Sequence, residues 1–334
     1  MADPTRLMLP FEAEELSLPE TGTIVALRAQ PGLYGEMPRD QLHCVQSFFP
    51  TAQAVLAQGL TCTATPPDTA DMVIVHLTRS REENRANVAI GYDLLPVGGQ
   101  MIVDGAKTDG IAPQLKAVKG VADVAGQHSK AHGKVFWFTK SNTTNPFADW
   151  KAPLIPTQNA DGWTTAAGMF SADGIDPGSA ELIAHLPEKL KGKGADLGAG
   201  WGWLSAQILS AYPAITQLDL IEAEATALDC ARQNVTDPRA TFQWADATKP
   251  AQKGGYDFVI SNPPFHTGRT TDPDLGRAFI QAAAHMLSPN GQFLLVANRQ
   301  LAYESTLNAC FARTEVLHQS SRYKVIHARK PLAR

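Results

Sequence analysis

The sequence predicts an α/β protein built from two open, mostly parallel sheets covered by helices. Three observations carry that prediction. The chain has 334 residues, enough for two domains of ordinary size, each with its own core. Short apolar runs alternate with longer helical stretches in both halves, the pattern of parallel strands joined by helices. A polar, proline-punctuated segment separates the halves, running from Ser141-Asn142-Thr143-Thr144-Asn145-Pro146 through Pro153 and Pro156.

In the first half, Ile24–Ala29, Met72–Leu77, Gln100–Asp104 and Val135–Thr139 read as strands. Residues 42–58 and 81–94 read as helices, and Leu95-Pro96-Val97-Gly98-Gly99 turns the chain into its next strand. In the second half a helix at 178–190 precedes a strand at 194–197, a helix at 202–211 and a strand at 216–221. A helix at 224–234 leads to strands at 240–244 and 256–260, then a helix at 275–287, the strand Gln292–Ala297 and a helix at 301–311. The final pair, 314–319 and 323–328, has so few residues between its strands that it forms an antiparallel hairpin. Leu95–Asp104 and Leu287–Val296 share a turn-then-strand pattern, which suggests an internal duplication.

A hydrophobic content of 44% and a charged content of 19% are those of a soluble globular protein. The start has no basic segment followed by a long apolar stretch, and no run is long enough to span a bilayer. Cys44, Cys62, Cys230 and Cys310 are scattered, without a Cys-x-x-Cys or a histidine at ligand spacing. The expectation is a reduced, cytoplasmic protein with no metal site and no membrane contact. The formal charge of −4 disfavours nonspecific coating of nucleic acid. Its distribution is uneven. Residues 313–334 hold six basic residues against Glu315, and 107–140 hold six lysines against Asp109 and Asp123. Either cluster is a solvated face or a local contact for RNA.

Four strand ends carry the chemistry. Asp196-Leu197-Gly198-Ala199-Gly200-Trp201-Gly202 sits where a strand gives way to a helix, and its glycines let backbone approach a ligand closely. Glu222, 24 residues after Gly198, ends the next strand and suits the two hydroxyls of a ribose. After another 24 residues, Trp244-Ala245-Asp246-Ala247 ends a third, where Asp246 either accepts from an adenine amine or closes an Asx turn. Sixteen residues on comes Ser261-Asn262-Pro263-Pro264-Phe265-His266. Its two prolines lock two φ angles, so the Asn262 carboxamide and nearby carbonyls are held rigidly with an aromatic ring behind them. That arrangement is either a turn or an acceptor site for a planar –NH2 group. All four lie where open α/β sheets bind ligands, which favours a site over four coincidental turns. Trp201 and Trp203 read as packing residues, and His266 as a loop or RNA-contact residue.

This quartet resembles the class I S-adenosylmethionine-dependent methyltransferases from about Phe170 to the end. The resemblance assigns Asp196, Gly198 and Gly200 to the methionine part of the cofactor, Glu222 to ribose, and Asp246 with Ala247 to adenine. It assigns Asn262, Pro263 and Phe265 to the nucleophilic nitrogen and its stacked base, with Asn262 also beside the cofactor. Nearly the whole chain is similar to the two-domain bacterial 16S ribosomal RNA guanine-N2 methyltransferase family. That similarity rests on Leu95–Gly105, on Gly168–Ser179 and on Asn262–Phe265. It implies two tandem Rossmann-like methyltransferase-type domains: a degenerate one at 1–145, a linker at 146–157, and a catalytic one at 158–334 ending in the hairpin. The first half departs from an active pattern, with no Gly-x-Gly loop and with His76-Leu77-Thr78-Arg79-Ser80 in place of Asn-Pro-Pro-Phe. The implied cofactor is S-adenosylmethionine, leaving S-adenosylhomocysteine. The implied partner is ribosomal RNA, naked or in the small subunit, met by a monomer. Two alternatives stay open, a protein glutamine N5-methyltransferase acting on release factors and a non-catalytic RNA-binding assembly factor. Phe265 in place of the tyrosine usual in glutamine enzymes, and an α/β first half, favour the nucleobase.

Overall fold

The computed structural model describes residues 3–251, 253–264, 266–267, 270–271 and 273–332. The chain divides into two compact units, Met1–Pro156 with Ala166–Gly168 and Thr157–Thr165 with Met169–Arg334.

In unit 1, five strands run parallel: β1 (Ile24–Leu27), β2 (Leu42–Val45), β3 (Thr61–Thr63), β4 (Met72–His76) and β5 (Gln100–Ala106). The hairpin β6 (Val124–Lys130) and β7 (Gly133–Thr139) adds antiparallel to β5, giving the order β3-β2-β1-β4-β5-β7-β6. Helices α1 (Pro4–Glu12), α2 (Phe49–Leu56), α3 (Arg81–Leu94) and α4 (Ile111–Lys119) cover both faces. The pleat sorts them. Ile24 and Ala26 pack with Leu7 of α1 and Val55 of α2, whereas Val25 and Leu27 pack with Val88 of α3 and Leu115 of α4. Burial on both faces is why these strands read as continuous apolar runs.

Unit 2 opens with a small ladder, β8 (Thr157–Gln158) with β9 (Thr164–Thr165), and α5 (Pro177–Ala184). Then follow β10 (Gly192–Leu197), α6 (Trp203–Ala211), β11 (Ile215–Glu222), α7 (Ala225–Asn234), β12 (Ala240–Trp244) and β13 (Tyr256–Ser261). The short ladder β14 (His266–Thr267) with β15 (Thr270–Thr271) precedes α8 (Pro273–Met286), β16 (Leu287–Asn298), α9 (Glu304–Cys310), β17 (Phe311–Gln319) and β18 (Tyr323–Pro331). The order β12-β11-β10-β13-β16-β18-β17 repeats that of unit 1 strand for strand, and the last pair is the expected antiparallel hairpin. Alternate residues again split between two cores: Phe293 and Leu295 face α8 and α9, while Leu294 and Val296 face α5 and α6.

Four expectations need correction, the first being the helix over 178–190, which ends at Ala184. The helix expected over 42–58 is a strand and a shorter helix. Leu42–Val45 pairs in parallel with Ile24–Leu27, and Pro50, expected inside a helix, stands in the first turn of α2 instead. Residues 301–303 lie before α9, and β17 begins at Phe311, buried in the core, rather than at 314. The sequence reading also missed α1, α4, β3 and β6. Within 146–157 the chain forms a 3₁₀ helix, Ala148–Leu154, and Phe147 just before it is fully buried in unit 1. Among the described residues no helix is long and apolar enough to cross a membrane.

Candidate active site

The strand order of unit 2 reverses between β10 and β13, and the crevice at such a switch is where open sheets take ligands. Ser261 Oγ closes the base of that crevice by donating to the Leu197 carbonyl at 2.7 Å. Above it lies a cleft of about 430 Å³, counting space open to solvent, lined by Asp196, Gly198, Gly200, Trp201, Asp176 and Asn262 among others.

The loop after β10 is built on left-handed glycines. Gly200 has φ +56° and open space where a Cβ would stand, so its backbone is bare toward the cleft. Gly202 has φ +91°, and a Cβ there would lie 2.8 Å from Val235. Gly202→Ala should therefore destabilise the fold by on the order of 2 kcal/mol or more, measured as a lowered urea midpoint with unchanged slope.

Asp196 is completely buried. Its Oδ2 accepts from Ser205 Oγ at 2.7 Å, and its Oδ1 has no partner. Burial pushes its carboxyl up to about 7, the Ser205 hydroxyl opposes that rise, and the nearby Glu222 charge adds to it. An unpaired, buried acceptor beside a bare glycine loop is a socket for a cationic donor.

Glu222 ties the loop to β11. Its Oε2 accepts from Gly200 N–H and its Oε1 from Glu224 N–H, each at 2.8 Å. Burial raises its pKa, and those backbone donors oppose the rise. Lone pairs remain on both oxygens for hydroxyl donors. Asp246 closes a turn: its Oδ1 accepts from Thr248 N–H at 2.9 Å and Thr248 Oγ at 2.6 Å. Ala247 is buried in the core. The structure thus brings Asp196, Gly198, Gly200 and Asn262 to one cleft. Glu222, Asp246 and Ala247 stand at neighbouring strand ends without lining it.

Asn262 is oriented by residues the sequence reading gave no role. Its Nδ2 donates to Asp176 Oδ2 at 2.7 Å and to Ser179 Oγ at 2.9 Å. A carboxylate only accepts, so the amide nitrogen must face Asp176 and the carbonyl oxygen must face the other way. The same Asp176 Oδ2 accepts from Ser179 N–H at 2.7 Å, capping α5 with Pro177 in the first turn. Asp-Pro-x-Ser is a local signal that could have marked the cap; the second duty, across the chain to Asn262, has no local signal. Pro263 is buried beside it. Phe265 lies outside the described residues, and His266 contributes backbone to β14. Trp201 is buried as expected, with its indole N–H donating to the Phe170 carbonyl at 3.0 Å, and it also lines the cleft.

Unit 1 is built differently at the matching strand ends. After β1 comes Arg28, at φ +55°, whose guanidinium pairs with Glu83 at 3.1 Å. β4 ends in a buried His76, 3.5 Å from Asp104, where β13 leads into Asn262.

Comparison with known proteins places the chain in a family. The profile of the family described as "Methyltransferase small domain" matches residues 162–327. The ribosomal RNA small subunit methyltransferase C of Salmonella agona is 31% identical over 263 residues, covering 76% of this chain and 74% of its own length. That of Idiomarina loihiensis is 28% identical over 277 residues, covering 80% and 81%. A solved structure of the Thermus thermophilus 16S rRNA N2 G1207 methyltransferase, in complex with AdoMet and guanosine, superposes with a TM-score of 0.75. It is 21% identical and covers 98% of this chain and 93% of its own, a likeness of fold. On the strength of the sequence relatives, this chain belongs to the ribosomal RNA small subunit methyltransferase C family.

Proposed function

We propose that this protein transfers a methyl group from S-adenosylmethionine to the exocyclic N2 amine of a guanine in small-subunit ribosomal RNA. The observation that carries the reading is the fixed Asn262 carboxamide, whose oxygen is left to accept while Asp176 and Ser179 hold its nitrogen. When bound, the cofactor supplies an electrophilic methyl on sulfonium. The unpaired Asp196 Oδ1 and the bare Gly200 backbone fit its amino-acid end. Glu222 and Asp246 keep lone pairs for its ribose and adenine.

The guanine N2 lone pair is delocalised into the ring and needs help to attack. Hydrogen bonds from the amine to Asn262 Oδ1 and the Pro263 carbonyl pull the nitrogen toward a pyramid and fix its direction. Alignment supplies most of the rate, and the proton leaves to solvent after the nitrogen has become cationic. No strong general base is required. Phe265 stacks the base, a contact worth about 1–3 kcal/mol, once the nucleotide has been turned out of its helix.

In this reading the segment 158–334 does the chemistry in the cytoplasm. Residues 1–145 form a methyltransferase-like domain without a cofactor, where Arg28–Glu83 and His76 occupy the places of a glycine loop and an acceptor asparagine. Its role is to position RNA or support its neighbour. The test uses cofactor labelled in the methyl group with naked 16S rRNA, assembled 30S subunits and release factor as substrates. Label should enter RNA in one or both of the first two, and label on protein alone would refute the reading.

A further inference from the structure

A second concave site lies in unit 1, far along the sequence from the cleft at Asn262. It opens between the tip of the β6–β7 hairpin and the segment that follows β5, a concavity of about 780 Å³ counting its open mouth. Ile111, Ala112 and Gly133 supply apolar floor, and Lys107, Lys130 and Lys134 stand around it. Lys107 and Lys130 are exposed and Lys134 is half-buried.

Among the described residues, the three charges lack a counter-charge: no carboxylate pairs with any of them, and Lys134 Nζ donates only to the neutral Ser129 hydroxyl, at 2.9 Å. Asp109 is near in sequence, but its two oxygens accept from Ala106 N–H and Thr108 Oγ in its own turn, each at 3.3 Å. By contrast Lys140, from the same basic stretch, is buried and donates to the Tyr92 and Leu95 carbonyls, so it belongs to the core.

The site is also built rather than draped. Beneath the hairpin, buried Arg6 pairs with buried Asp104 and reaches the Lys130 carbonyl at 3.4 Å. A side chain at Gly133 would strike that guanidinium at 2.3 Å. The two-residue turn, Ala131-His132, holds both residues at positive φ, +49° and +55°, where such hairpins ordinarily take Asn-Gly. The His132 carbonyl accepts from Lys107 N–H at 2.9 Å, which locks the turn to the opposite wall. Strained positions kept by a rigid surround are found where a surface meets a ligand.

From this we infer that the concavity is a docking site for a single-stranded segment of the RNA substrate. Its phosphates meet Lys107, Lys130 and Lys134, and a ribose or base lies against the exposed Ala112 and Ala131. Uncompensated lysines match phosphodiesters, and an apolar floor suits an unstacked base. The inference rests on the rRNA reading above, and its test separates the two.

The experiment measures binding of 16S rRNA by the full chain between 50 and 200 mM salt, with methyl transfer in parallel. The variant Lys107→Ala/Lys130→Ala/Lys134→Ala should weaken RNA binding on the order of tenfold at 100 mM salt and lower the salt slope by about 2 to 3. Transfer at saturating RNA should stay within about twofold, and cofactor affinity should not move, since neither depends on these lysines. Arginine at all three positions should restore the slope. Wild-type binding and slope in the alanine variant would overturn the site, as would loss of binding that arginine fails to restore. If the wild-type protein transfers no label to rRNA, the functional reading fails, and that result is read before any variant is made.

Discussion

Asn262→Ala should lower methyl transfer by about 10³-fold at saturating cofactor and RNA, while cofactor affinity stays within about threefold. The loss is that of an oriented acceptor at the reacting nitrogen, so it falls on the rate of the chemical step rather than on binding. A more discriminating variant is Asp176→Asn. Asparagine caps a helix nearly as well as aspartate, so α5 should persist. It also donates, and so no longer forces the Asn262 amide to present its oxygen to the substrate. Single-turnover transfer should fall on the order of tenfold, with thermal stability close to wild type. A wild-type rate in Asn262→Ala would show that the amide does not hold the nucleophile. A wild-type rate in Asp176→Asn would show that something else orients it.

The second large effect belongs to Asp196. Burial lifts its carboxyl to about 7, so the uncharged acid prevails in the free protein below that pH. A cationic amine at the unpaired oxygen needs the carboxylate. Cofactor affinity should therefore weaken as pH falls below about 7, by up to about tenfold per unit, with proton release on binding measurable by calorimetry in buffers of different ionisation heat. Asp196→Asn should abolish that pH dependence and weaken the cofactor about 10- to 100-fold at pH 8, where the wild-type carboxylate is charged. An affinity independent of pH in the wild-type protein would remove Asp196 from the cofactor's amine.

The same shift acts on stability with the opposite benefit. The unfolded carboxyl titrates near its ordinary 3.8 and the folded one near 7. Folding therefore retains a proton that the unfolded chain has lost, and stability declines as pH rises from about 4 to about 7. Above pH 7 the deficit is complete, at most on the order of 4 kcal/mol. Asp196→Asn keeps an acceptor for Ser205 and removes the buried charge, so the free variant should be the more stable protein at pH 8. A lower melting temperature for the variant would contradict this assignment.

How far the sequence disclosed all this depends on whether the signal was local. β11 and β13 announce themselves, because each carries a cluster of buried apolar residues, Leu218, Leu220 and Ile221 in one and Phe258, Val259 and Ile260 in the other. β10 is poor in apolar side chains, with Lys191-Gly192-Lys193-Gly194 at its start. The structure shows why it works: a Cβ at Gly194 would sit 2.0 Å from the Phe258 ring, which packs over that bare backbone. The helix expected over 42–58 fails at its start because Leu42–Val45 pairs in parallel with Ile24–Leu27, a partner that no local pattern encodes.

The site follows the same division. Asp196, Gly198, Gly200 and Asn262 were legible as candidates because they stand at the ends of β10 and β13, the adjacent strands at the switch point. Asp176 was hidden because its decisive bond spans 86 residues to Asn262, which no local pattern encodes. Asp246 closes the turn with Thr248 and still keeps lone pairs for a second partner, so its two readings are not exclusive.

The central claim is tested most directly by digesting 16S rRNA, methylated by the wild-type protein with labelled cofactor, to nucleosides and identifying the labelled one by mass. The expected product is N2-methylguanosine, carried at one position per rRNA and absent when Asn262→Ala replaces the wild type. Label in any other nucleoside, or N2-methylguanosine formed equally well by Asn262→Ala, would contradict the account.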